Sequence, residues 1–134
     1  MRLMLALFIV SGITFATDAI CQEGARLWLT EDPQCPLYGV ALTDSNEVTA
    51  WIGIALRGPL LLGDPDPSVP DLLGQATVSG DQVSATMRQF GVDTGSFSGS
   101  LSGTISGDTL HLTATISING HGSKSGTCDL KRQA

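Results

Sequence analysis

The chain has 134 residues, a net charge of −6, only 15% charged side chains, and sixteen glycines. With no basic stripe to neutralise phosphates, this balance argues against nucleic acid and equally against an anionic membrane surface. The length suits one domain with a modest core, and the glycines suit many tight turns.

Residues 1–19 have the make-up of a secretory signal. Arg2 gives a short positive start, Leu3 to Val10 is almost wholly apolar, and Ala16 and Ala19 are candidate cleavage points. The apolar run is too short to span a bilayer, so no stable membrane insertion is expected. Cleavage leaves a single domain over 20–134, of about 115–118 residues. A lipoprotein reading of Cys21 is poor, because Asp18 and Ile20 stand where a leucine and a small residue are usual. The expected location is secreted or periplasmic.

Export makes the cysteines readable as disulfide candidates: Cys21, Cys35 and Cys128. Three cysteines leave one thiol over, so the chain is expected as a monomer or a disulfide-linked dimer. If the first and last strands are neighbours, Cys128 is expected to pair with Cys21. Cys35 is the competitor if Leu37 opens the first true strand. No CxxC pair and no metal-ligand spacing occurs, so no metal and no cofactor are expected.

Arg26 to Thr30 and Leu37 to Leu42 are short apolar runs separated by a loop containing Pro33 and Pro36. Thr43-Asp44-Ser45-Asn46 reads as a turn, and Glu47 to Arg57 as one longer strand. On that strand Val48, Ala50, Ile52, Ile54 and Leu56 share a face, with Trp51 opposite. Trp28 alternates with Leu27 and Leu29 in the same way. Two tryptophans set against aliphatic faces mark a candidate partner surface, unless a loop covers them.

Gly58 to Gly74 is the long irregular connection, with Pro59, Pro65, Pro67 and Pro70 and leucines at both ends. A loop of this length in a small domain is commonly functional. Its leucines suggest a flap lying on the protein, so Leu61, Leu62 and Leu72 join Trp28 and Trp51 as the candidate ligand or partner surface. Asp64 and Asp66 alternate with prolines and read as turn formers rather than calcium ligands.

From Asp71 to Leu130 the chain repeats a strand–turn–strand rhythm. Thr77-Val78-Ser79-Gly80-Asp81-Gln82-Val83 returns as Thr104-Ile105-Ser106-Gly107-Asp108-Thr109-Leu110. Gly-Asp suits a two-residue type II′ hairpin, where the first central residue needs positive φ. Centring on these turns pairs Val78 with Val83 and Ile105 with Leu110. Alternation then puts Ala76, Val78, Val83, Ala85, Met87, Phe97, Leu101, Ile105, Leu110, Leu112, Ala114, Ile116 and Ile118 inside and a series of serines and threonines outside. Asn119-Gly120 signals a third hairpin, but pairing Ile118 with His121 turns Cys128 and Leu130 outward. A three-residue loop, or a bulge near Gly122 or Gly126, reverses this; the bulge is the expectation.

The chemistry-bearing residues are few. His111 and His121 fall on opposite faces in the simple register, and no HExxH, GxSxG or SxxK occurs. An enzyme is not expected.

About eight strands joined mainly by hairpins predict an all-β antiparallel meander closed as an up-and-down barrel, with a two-sheet β-sandwich as the alternative. The Gly-Asp turns and alternation over Glu47 to Leu130 resemble, in outline, small exported barrels of the avidin-like, lipocalin-like and bacterial protease- or lysozyme-inhibitor groups. That outline implies a fold and no particular site. The expected function is non-catalytic binding of a small apolar ligand or a protein partner, inhibitor-like action included. Gly99 and Gly103 on the inward face leave room for a cavity. The alternative is a structural or envelope-associated domain without a pocket.

Overall fold

A computed structural model describes residues 25–60, 62–90, 97–119 and 122–133. The expected leader, Cys21, Leu61 and His121 lie outside the described residues. The strands are β1 (Arg26–Leu29), β2 (Leu37–Leu42), β3 (Glu47–Ile52), β4 (Leu72–Ser79), β5 (Gln82–Gln89), β6 (Phe97–Ser106), β7 (Thr109–Ile118) and β8 (Gly122–Arg132). Each pairs antiparallel with the next, and β8 returns to β1, closing an eight-stranded up-and-down barrel rather than a sandwich. A single helical turn, α1 (Ile54–Arg57), follows β3. None of the helical structure among the described residues is long and apolar enough to cross a membrane.

The two Gly-Asp turns do what their residue order requires. Gly80 and Gly107 have φ of +62° and +61°, while neither aspartate is left-handed, which is the type II′ pattern. Val78 faces Val83, Ile105 faces Leu110, and the two ladders continue without a shift. Asn46 takes φ of +65° and ends the predicted turn between β2 and β3.

The last hairpin resolves the register conflict at its loop. Ile118 pairs with Gly122, leaving three residues between them, and the ladder then runs unbroken to Thr109 and Lys131. No bulge interrupts it, contrary to the expectation, and Gly122 carries the positive φ of +89°. Cys128 and Leu130 consequently point inward, opposite Leu112 and Leu110.

The inward faces fill the barrel. Leu37, Val40, Leu42, Val48, Ile52, Leu72, Met87, Phe97, Leu101, Leu112, Ile116 and Leu130 are all buried in one cluster. The space expected beside the inward glycines is already taken. A Cβ on Gly99 would lie 3.1 Å from Ile116 Cδ1 and 3.2 Å from Leu72 Cδ1, and one on Gly103 would lie 2.5 Å from the His111 carbonyl. These glycines serve close packing rather than a cavity.

Two further expectations are corrected. β3 stops at Ile52 and does not reach Arg57: the Gly53 amide donates to the Pro36 carbonyl at 2.8 Å, and a Cβ there would collide with the Cys35 carbonyl. Ile54, expected to share the buried face, is half exposed. The disulfide joins Cys35 to Cys128, not Cys21 to Cys128. In the β1–β8 ladder Trp28 faces Arg132 and Leu29 faces Lys131, so advancing along β1 retreats along β8. Cys128 therefore faces the β1–β2 loop, which carries Cys35.

Candidate functional site

The strand register places the two tryptophans on opposite sides of the barrel wall. Trp28 faces Val40 and Val40 faces Ala50, all inside, whereas Trp51 faces Gly39 on the outer face of the wall, where the flap leaves it buried. The expected patch of Trp28, Trp51, Leu61, Leu62 and Leu72 is therefore not assembled. Trp28 is 1% exposed in the core, and Leu72 is wholly buried between Ala50 and Gln89. Leu62 is half-buried against the core, and Leu61 lies outside the described residues.

Trp51 remains, and a different set of residues gathers round it. Alternation on β1 sends Leu27 and Leu29 outward, and Tyr38 on β2 joins them. Gly39 lies between Leu29 and Trp51 in the ladder; its absent side chain lets Leu29 Cδ2 come within 2.5 Å of where a Cβ would stand. Pro65 and Pro67 descend from the flap. Together Leu27, Leu29, Tyr38, Trp51, Pro65 and Pro67 line an apolar slot of about 70 Å³ on the outside of the barrel. A polar shelf adjoins it, sharing Leu29 and Tyr38 and adding Glu31, Asp129 and Lys131.

The flap is held at both its middle and its base. Trp51 Nε1 donates to the Asp66 carbonyl at 2.8 Å, and the Val69 amide donates to the same oxygen at 2.9 Å. The Asp66 carboxylate accepts from the Ser68 amide at 3.0 Å and its hydroxyl at 2.8 Å, and these bonds pull its pKa below the ordinary value. At the base Arg57 and Asp71 form a buried ion pair at 2.7 Å. Asp71 also accepts from the Ile52 amide, and Arg57 donates to the Ile52 and Gly63 carbonyls. Leu56, Leu60 and Leu62 pack down onto the core, so the flap plugs this end of the barrel.

Across β7 and β8 several exposed side chains pair with one another. His111 Nδ1 lies 2.7 Å from Asp129 Oδ1 on the exposed face, and Thr113 and Thr115 bond across to Thr127 and Ser125. Among the described residues no three His, Cys, Asp or Glu side chains gather closely enough to hold a metal ion.

No protein-family model, curated protein or solved structure matches this chain.

Of the slot's residues the sequence assigns only Trp51 to the candidate surface; it sets Leu27 and Leu29 opposite Trp28 and gives Tyr38 no assignment. Gly39 was the available signal: a glycine inside an apolar strand marks a close approach of its neighbours.

Proposed function

We propose that the protein is a non-catalytic, exported binding module that docks a partner protein by seating one apolar side chain in the Trp51 slot. The slot itself carries this reading. It is apolar throughout, lies on the outer wall, and is roofed by a flap whose base is anchored by a buried ion pair. Its volume of about 70 Å³ suits one leucine or proline side chain. Small-molecule pockets run to roughly 300–1,000 Å³. A small apolar ligand inside the barrel is disfavoured, because the interior positions are filled by their own side chains. An oxidising, extracytoplasmic location accords with the Cys35–Cys128 disulfide.

The test is partner capture from culture supernatant by the oxidised protein and three variants. Leu29→Asp and Tyr38→Ala alter the slot; Thr113→Ala alters a distant outer face. A discrete partner retained by wild type and Thr113→Ala but lost by both slot variants supports the reading. Equal capture by all four, or none by any, overturns it. The packed interior and the burial of both tryptophans favour a second reading, a structural envelope domain, which the empty capture result would support.

A further inference from the structure

We propose that the end of the barrel opposite the flap binds a small oxyanion, a carboxylate or a phosphate, between Arg26 and Arg132 at the indole of Trp28. At this end β1 begins, β8 ends, and the turns at Asp44, Gly80-Asp81 and Gly107-Asp108 cluster. The pairing of Trp28 with Arg132 puts both side chains on the inward face, and Arg26, two residues before Trp28, shares it.

The two guanidinium carbons lie over the same ring, 5.5 Å and 6.0 Å from its centroid. Arg26 is half-buried and Arg132 exposed, so a solute reaches both. The ring beneath is almost fully buried, and its Nε1 has no hydrogen-bond partner among the described residues. The ion pairs among those residues are Arg57–Asp71 and His111–Asp129, so neither guanidinium is neutralised by one. The carboxylates of Asp44, Asp81 and Asp108, carried by the turns at this end, make no ion pair with them either.

Two cations on one ring, in a chain of net charge −6, are a local reversal of sign. The ring's π-face attracts each cation but does not use its planar set of N–H donors. An acceptor with two or more oxygens does, bridging the two forks above the indole ring. Chloride is a single acceptor centre and offers no second oxygen to the second fork. The site lies away from the Trp51 slot and stands independently of the partner-docking proposal.

The two tryptophans supply their own control. Trp51 Nε1 is already bonded to the Asp66 carbonyl, whereas Trp28 Nε1 has no partner among the described residues. The oxidised, ¹⁵N-labelled protein is titrated with sodium phosphate, sodium acetate and sodium chloride at equal ionic strength, following both indole N–H resonances. The expected result is a saturable shift of the Trp28 resonance with phosphate, acetate or both, as the charge over its ring changes, while Trp51 stays in place. The responding salt identifies the class of anion. Arg26→Gln and Arg132→Gln each weaken binding by about tenfold or more, equivalent to about 1.4 kcal/mol. If a glutamine variant loses the folded Trp51 signal, Arg132→Lys serves instead: it keeps the charge, lacks the fork, and binds more weakly. No saturable shift, an equal response to chloride, or unchanged binding in the folded variants overturns the proposal.

Discussion

Arg57 and Asp71, fourteen residues apart at the two ends of the flap, meet in a buried ion pair at 2.7 Å with each side chain only 8% exposed. The pair is hydrogen-bonded on both sides to the backbone of Ile52, where β3 ends. It therefore ties the strand's last residue, the helical turn and the start of β4 into one unit. Removing one partner leaves the other charge buried and uncompensated, so Arg57→Ala and Asp71→Ala should each destabilise the fold by about 3–5 kcal/mol. Replacing both with apolar residues of similar size should cost much less than the two single losses together. Urea unfolding followed by tryptophan emission measures all three variants.

The Cys35–Cys128 bond closes the barrel where backbone pairing is thinnest. Among the described residues β1 and β8 share two register pairs, while β7 and β8 share ten. Beyond those two pairs, β8 is faced by the β1–β2 loop, with Pro36 packed against Gly126. Cys35→Ser with Cys128→Ser should cost about 2–4 kcal/mol, given the long chain segment the bridge encloses. Hydrogen exchange should place the loss locally: amides of β1 lose protection first, and those of β6 and β7 last.

Much of this barrel was legible in the sequence, for a definable reason. Gly80-Asp81 and Gly107-Asp108 fix turn type and register together, and the period-two pattern then assigns the faces from Ala76 to Arg88 and from Phe97 to Ile116. The pattern fails where both faces are apolar. Arg26 to Leu29 offers a leucine on one side and tryptophan on the other, so alternation could not say which side was inside. Only the pairing of Trp28 with Val40, and of Trp51 with Gly39, separates the two indoles. Ile52, Ile54 and Leu56 continued the period of two past the strand's true end, which is set by the long-range approach of Gly53 to Cys35 and Pro36. The disulfide was misjudged for want of direction: in an antiparallel pair Cys128 looks forward along β1, toward Cys35.

The glycines divide into those the barrel needs and those it does not. A methyl on Gly103 meets the His111 carbonyl at 2.5 Å, and one on Gly74 collides with the Thr86 carbonyl; backbone cannot step aside. Gly103→Ala and Gly74→Ala should each destabilise by about 1–3 kcal/mol through overpacking. Gly58 is helical at φ −61° and ψ −55°, with nothing within 4 Å of an added Cβ. Gly58→Ala should raise stability by about 0.4–1 kcal/mol, because it restricts only the unfolded chain. Thermal melts of the three variants at one pH separate the two classes.

Acid should loosen the flap through Asp66. The bonds from the Ser68 amide and hydroxyl favour the ionised carboxylate and hold its pKa below the ordinary value. In the folded protein the group therefore stays charged at pH values where the unfolded chain has already begun to bind a proton. Its contribution is complete above the unfolded value and disappears as pH falls through the lowered folded one. Because the Asp66 carbonyl also accepts the Trp51 indole N–H, losing the Ser68 bonds should free the turn that covers Trp51. Acrylamide quenching of Trp51, read in a Trp28→Phe background, should rise on acidification below the ordinary aspartate range. Ser68→Ala should raise it already at neutral pH and flatten the acid response. Quenching that is independent of pH in the parent and unchanged in Ser68→Ala would detach Asp66 from the flap's hold on Trp51.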